Sequence, residues 1–363
     1  MVYNVIGLMS GSSLDGLDLA FVELSEVRGQ WGYVIHAAEC LPYDAQWITD
    51  LKGAVNLPAR EYQLLHTAYG HYIGTQVKEF IRRHHLEHRV HFIASHGHTT
   101  FHIPEQKMTA QLGDGAAIAA ETGLPVISDL RSMDVALGGQ GAPIVPIGEK
   151  LLFQDYDYWL NLGGIANLSA RTADVYHAFD VCPANRVLDA LALALGKNYD
   201  ENGTLASGGV TDSKLLDALN AQPYYAQPFP KSLANDFGTD VILPLIGTYT
   251  LSTQGKLRTY VEHIAQQVTA AVKAVSGENT QEKKLLVTGG GAFNHFLVKT
   301  IKSQLEPLGI AVVIPDEQTA AYKEALVMAL IGALRWRQQP NVLSSVTGAA
   351  RDSVNGALYL GEG

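Results

Sequence analysis

Three glycine-bearing turns, each at the end of an apolar run, constrain this chain more than any other feature. Residues 7–18 read GLMSGSSLDGLD, residues 161–169 read NLGGIANLS, and residues 287–294 read VTGGGAFN. Small residues at such turns let backbone N–H groups approach an anion closely. After the first two turns the chain re-enters a strand pattern, at 19–24 and 166–170, whereas the third runs into a helical pattern. Two hairpin loops and one strand-to-helix turn of this kind predict a nucleotide held between two domains.

A chain of 363 residues suits two domains better than a single core. The net charge of −10 argues against nucleic acid or an anionic membrane as partner. Cys40 and Cys182 are the only cysteines, so no disulfide framework is expected and a reducing, cytoplasmic setting is. The start, MVYNVIGLMSG, lacks the basic segment of a signal peptide, and no apolar run approaches the roughly 20 residues of a membrane span.

Residues 2–8 and 19–24 read as paired strands around the first turn, with a third strand at 33–39. Leu65, Tyr69, Ile73, Val77 and Ile81 recur at fourfold spacing and predict one face of a helix. Strands are expected at 91–95 and 125–129, and the Gly/Pro-rich stretch 138–146 reads as the crossing between domains. The boundary is therefore expected near residue 140, with the extreme C-terminus able to return to the first domain. The second half repeats the pattern: strands at 157–162, 166–170, 175–179, 285–288 and 311–314, and helices at 257–275 and 324–336. The two hairpin loops suggest an internal duplication.

The commonest nucleotide motifs are absent. There is no G-x-x-x-x-G-K-[ST], and residues 289–294 are not G-x-G-x-x-G. Asp15 and Asp18 flank Gly16 and read either as turn residues or as carboxylates orienting Mg²⁺-bound water beside phosphates. Asp180 ends the run DVYHAFD, where it is either a cap for a helix starting near Asn185 or a general base facing a ligand crevice. Residues 93–97, IASHG, approach the G-x-S-x-G nucleophile elbow, but Ile93 blocks the sharp turn. The histidines between His84 and His102 fit no closed zinc spacing and read as a solvated helix end plus loop.

Over essentially its whole length the chain resembles the anhydro-N-acetylmuramic acid kinases of the sugar kinase, heat-shock 70 and actin superfamily. The resemblance rests on GSSLDGLD, SHGHT (95–99), QLGDG (111–115), DLRSMD (129–134), GGQGAP (138–143), NLGGIANLS, VTGGGAFN and SVTGAA (345–350), with GGQGAP after D-x-R-x-x-D the most specific. It implies an α/β, two-domain actin-like ATPase fold with ribonuclease H-like mixed sheets flanked by helices and ATP in the interdomain cleft. It implies a reaction of cell-wall sugar recycling in which ATP, water and a 1,6-anhydro sugar give the ring-opened 6-phosphate and ADP, with ATP and Mg²⁺ required. By motif match Asp180 is the base and Glu324 a second acid, while Ser95, His96, His98, Arg131, Asp180 and Glu324 are substrate contacts. Gly11, Ser12, Ser13, Asp15, Gly16, Asp18, Asn161, Gly163, Gly164, Gly289, Gly290, Gly291 and Asn294 match the ATP loops, and Asp18 the metal position. A homodimer is also implied. The chain departs from the family pattern at Asp180-Val181-Cys182-Pro183-Ala184-Asn185, where D-T-G-P-G-N is usual, at His98 for Gln and at Ser12 for Thr. Other readings are a kinase of another anhydro sugar or of an ordinary sugar, and a nucleotide switch like the chaperone and actin branches, although little length is left over for partner segments.

Overall fold

The first three strands, β1 (Val2–Ser10), β2 (Gly16–Val27) and β3 (Gln30–Pro42), form an antiparallel meander. Val5, Ile6, Leu8, Leu19, Phe21 and Val22 are all buried, because layers cover both faces of this sheet, which explains the nearly continuous apolar runs. β4 (Phe92–Ile103) lies parallel to β1. β5 (Met108–Leu112) pairs antiparallel with β4, and β6 (Val126–Ser128) pairs parallel with it. In the second half β7 (Tyr158–Leu162), β8 (Ile165–Thr172) and β9 (Val175–Pro183) form another antiparallel meander. β10 (Lys283–Thr288) runs parallel to β7, and β11 (Ile310–Val313) parallel to β10. A last short strand, β12 (Ala357–Tyr359), returns antiparallel to β6. These assignments come from a computed structural model that describes residues 1–11, 13–172, 175–229, 231–234, 236–276 and 282–361.

The chain divides into two units, Met1–Gln154 with Tyr322–Gly363, and Asp155–Ala321. Unit 1 carries the strand order β3-β2-β1-β4-β6 and unit 2 the order β9-β8-β7-β10-β11. Each is a three-stranded meander followed by two parallel strands, so the same ribonuclease H-like sheet occurs twice. That doubled α/β arrangement is the actin-like ATPase fold. The division falls at Gln154/Asp155 and not near residue 140. The 138–146 stretch lies within unit 1, because its backbone is engaged there: Gly141 N–H donates to Asp134 Oδ2 at 2.8 Å and Gln140 N–H to the Thr347 carbonyl.

Helices cover each sheet. In unit 1 the helix Ala59–Arg83 buries Tyr69, Ile73, Val77 and Phe80 and ends on Arg82 and Arg83, which suit its negative C-terminus. The helix Glu317–Trp336 breaks helical geometry at Tyr322 (φ −113°, ψ 20°), the residue at which unit 1 resumes. Its following turns are buried all round and rest on β1 and β4 through two glycines. A Cβ on Gly7 would collide with the Ala325 carbonyl, and one on Gly332 would meet Ala94 Cβ at 2.6 Å. That close approach fixes where Glu324 sits. In unit 2 the helix Thr253–Ser276 buries Val261, Ile264, Val268, Val272 and Val275, each worth about 1.5–3 kcal/mol of apolar transfer.

Candidate functional site

Unit 2 brings the second and third glycine turns together. Gly289 has φ +83°, and a Cβ there would lie 2.6 Å from Asn161 Oδ1 and 2.9 Å from the Leu162 carbonyl. A Cβ on Gly291 would meet Leu162 Cβ at 2.7 Å and Asn185 Oδ1 at 3.0 Å. Gly289 and Gly291 thus approach Asn161 and Leu162 where only glycine fits, whereas a Cβ on Gly163, Gly164 or Gly290 would meet nothing nearer than 3.5 Å. The hairpin is braced from behind: Ala184 N–H donates to the Gly164 carbonyl and Asn185 N–H to that of Gly163. Asn294 stands slightly apart from this group. Its Oδ1 accepts from Leu297 N–H at 3.0 Å and caps the helix His295–Leu305.

Asp180 lies inside β9, three residues short of its end, at a register shift. Asn167 pairs with Asp180 and Ala166 with Cys182, which leaves Val181 as the extra residue of a β-bulge. The bulge turns the Asp180 backbone away from the ladder toward the segment 223–233. Its N–H donates to the Lys231 carbonyl at 3.1 Å, and its own carbonyl accepts from Tyr224 OH at 2.7 Å. Leu233 N–H donates to Asp180 Oδ2 at 2.8 Å. Burial raises the carboxyl above its usual range, and the Leu233 N–H opposes that by stabilising the anion. The capping alternative is closed, because the helix Asn185–Leu193 starts at Ala184 with no side-chain cap.

Unit 1 carries the first turn and an acidic group. Ser13 Oγ donates to Asp15 Oδ1 at 2.7 Å, and Gly16 N–H donates to the same oxygen. A Cβ on Gly11 would meet only Ser13 Oγ, at 3.5 Å, so its surroundings are open. Gly16 differs: a Cβ would collide with the Leu41 carbonyl and Cys40 Sγ of the adjacent strand, so packing against β3 requires it. Ser12 lies outside the described residues. Burial, with Asp15 and Glu324 nearby, pushes the Asp18 carboxyl up to about 7, against a hydrogen bond with Cys40.

Glu324, Arg131 and His96 form a second cluster. Burial raises the Glu324 carboxyl, while Lys323 and Arg131 pull it down. Lys323 itself is engaged with Glu149 at 3.1 Å, both buried. Arg131 Nε donates to His96 Nε2 at 2.8 Å, and His96 Nδ1 meets the Gly97 carbonyl at 2.8 Å. A carbonyl only accepts, so His96 carries its proton on Nδ1 and is neutral, its pKa pushed down to about 3 by burial and the guanidinium. The motif residues behind Arg131 form its scaffold: buried Asp134 accepts from Gly141 N–H and Thr347 Oγ1. His98 is separate from this cluster. It ends a buried chain in which Tyr69 OH meets Tyr43 OH at 2.5 Å, Tyr43 OH donates to Ser10 Oγ at 2.8 Å, and Ser10 Oγ meets His98 Nδ1 at 3.1 Å.

A cavity of about 290 Å³ in unit 1 is lined by Ser95, His96, His66, Gln111 and Asp129 among others. Ser95 Oγ and Gln111 Oε1 are buried there without hydrogen-bond partners, and the neutral His66 takes Gly113 N–H on Nδ1 at 3.2 Å. Buried polar atoms left unpaired beside a polar cavity suit a ligand that brings hydroxyl or amide groups. Sequence reasoning anticipated Ser95 and His96 here but not His66 or Gln111, nor the Asp180 supports Tyr224, Lys231 and Leu233. These carry no local motif and converge only through the fold.

A sequence model of the anhydro-N-acetylmuramic acid kinases matches residues 3–361. The chain belongs to the anhydro-N-acetylmuramic acid kinase family. The protein of that name from Vibrio parahaemolyticus is 33% identical, covering 98% of this chain and 97% of its own. The one from Francisella tularensis subsp. novicida is 31% identical, covering 97% of each. Among solved structures, the Acidaminococcus fermentans (R)-2-hydroxyglutaryl-CoA dehydratase component A is 14% identical with a TM-score of 0.46, covering 90% of this chain and 96% of its own.

Proposed function

We propose that this chain is an ATP-dependent kinase that opens the 1,6-anhydro ring of anhydro-N-acetylmuramic acid with water and phosphorylates O6. The products are N-acetylmuramic acid 6-phosphate and ADP. The observation that carries this reading is Asp180: a half-buried carboxylate at a β-bulge, held by Leu233 N–H on one oxygen. Water is a poor nucleophile at neutral pH, and a positioned carboxylate contributes about 10²–10⁴-fold as general base.

Asp180 takes a proton from water as the water oxygen bonds to C1 of the sugar. The bond from C1 to the bridging oxygen breaks, and the electron pair stays on O6. O6 then bonds to the γ-phosphorus of ATP, and ADP leaves. The backbone N–H groups of the turns at Gly163, Gly164 and Gly289–Gly291 hold phosphate and adenosine, and the first turn, with Gly11 and Ser13, holds phosphate oxygens. Glu324 and Arg131 act on the sugar side, with the cavity around Ser95 and His96 taking the neutral polar groups of the sugar. Asp18 and Asp15 are a donor set that fits Mg²⁺, since burial beside other acids suppresses Asp18 ionisation and a cation would relieve it. Mg²⁺ bound there would neutralise charge on the β- and γ-phosphates.

The test is stoichiometry. Incubation with ATP, Mg²⁺ and anhydro-N-acetylmuramic acid should release one ADP per sugar 6-phosphate formed, and other 1,6-anhydro sugars run in parallel should be poorer substrates. ADP release with no phosphorylated sugar would contradict the reading.

A further inference from the structure

The segment 223–233 meets Asp180 at three points, and one charged side chain within it bonds back to its first turn. After its first turn (Pro223–Ala226), residues 227–229 have no regular structure. The Lys231 ammonium closes it. Nζ donates to the carbonyls of Tyr224 and Tyr225, at 3.2 Å each, and lies 4.7 Å from the centre of the Tyr224 ring. The same residue's backbone carbonyl receives Asp180 N–H, and the Tyr224 whose carbonyl it binds gives its OH to the Asp180 carbonyl. Lys231 and Tyr224 are thereby joined to each other, and each to Asp180. Behind it, Tyr225 OH meets His263 Nε2 at 3.0 Å and His263 Nδ1 meets Asn220 Oδ1 at 2.7 Å, with His263 wholly buried and neutral. The segment is thus held by His263 behind Tyr225, by Phe229 stacked on Phe179, and by the Lys231 ammonium on its first turn.

We propose that Lys231 is a positioning residue that, through Tyr224 and Leu233, holds the Asp180 carboxylate in its working orientation. This rests on the reading of Asp180 as the base. Lys231 touches no substrate in this role. Its ammonium donates to two carbonyls at once, those of Tyr224, which also takes Gln227 N–H, and Tyr225. Without it the loop regains backbone freedom, and the Leu233 N–H leaves Oδ2 for part of the time. Misplacement of a catalytic group by about 1 Å can lower a rate about 10²-fold. Losing an N–H donor to the ionised form also raises a carboxyl pKa.

The experiment compares Lys231→Met, Lys231→Arg, Tyr224→Phe and Asp180→Asn in the full chain. Lys231→Met should lower kcat about tenfold or more while KM for ATP stays within about twofold. It should also move the acidic limb of the kcat/KM pH profile upward by about half a unit or more. Lys231→Arg, which keeps a cationic donor, should recover part of kcat and return the limb toward its original place. Tyr224→Phe removes only the hydroxyl on the Asp180 carbonyl and should lower kcat a few-fold in a folded protein, so the proposal remains testable if Lys231→Met does not fold. Unchanged kcat and acidic limb in Lys231→Met and Tyr224→Phe, with Asp180→Asn inactive, would overturn the proposal and leave the base intact. Turnover retained in Asp180→Asn would overturn the base assignment and the proposal with it.

Discussion

Asp180 and Asp18 are both half-buried carboxyls with raised pKa values, and their surroundings give them different consequences. Asp180 has a donor on Oδ2, and the base proposed for it must be ionised, so kcat/KM should fall as pH drops through a pKa set above the ordinary aspartate value of about 4. Asp180→Asn should lower kcat about 10²-fold or more with ATP affinity changed no more than a few-fold, measured by steady-state kinetics and calorimetry. Asp18 is pushed to about 7 from 3.8. Because the folded pKa lies above the unfolded one, its contribution is fully favourable below pH 4 and is lost as pH rises toward 7. Asp18→Asn should therefore raise the Tm of the ligand-free protein at pH 8 by a few degrees and leave it nearly unchanged at pH 4. An equal shift at both pH values would mean that ionisation of Asp18 is not the cause.

At the scale of the turns, two glycines separate binding from folding. Gly11 has open surroundings, so Gly11→Val should weaken ATP binding and leave the Tm within about 2 °C, near what one kcal/mol would move. Gly289 has φ +83° and no room for a Cβ, so Gly289→Ala should cost about 1–3 kcal/mol of stability as well as ATP affinity. Equal losses of stability in the two variants, read by thermal unfolding, would contradict this distinction. The turns and most strands were legible because each is local: an apolar run, then small residues. Asp180 was legible as a residue but not as a geometry. The sequence pattern ends its strand at 179–180, whereas β9 continues to Pro183 through a bulge that only the partner strand β8 defines. Tyr224 and Leu233 were not legible as supports of Asp180, because they lie 44 and 53 residues from it. The 138–146 stretch misled because Gly and Pro mark irregular backbone equally well in a linker and in a scaffold tied to Asp134 and Thr347.

For the whole molecule, the doubled sheet explains why a chain of this length divides its chemistry. Unit 2 carries Asp180 and two glycine turns, and unit 1 carries Glu324, Arg131 and the polar cavity. A kinase acting on a sugar hydroxyl would need only a base on that hydroxyl; hydrolytic opening needs a water and a base for it. Glu324→Ala should lower turnover of the anhydro sugar more than it weakens ATP binding, which calorimetry and kinetics on one preparation would separate. The central claim is that water, activated by Asp180, opens the ring while the sugar's own O6 takes the phosphoryl group. Turnover in ¹⁸O-labelled water with mass analysis of the product tests it most directly. The account predicts one label on C1 for each phosphate transferred and none in the phosphate group. Label in the phosphate, or a phosphorylated product with the anhydro bridge intact, would contradict it.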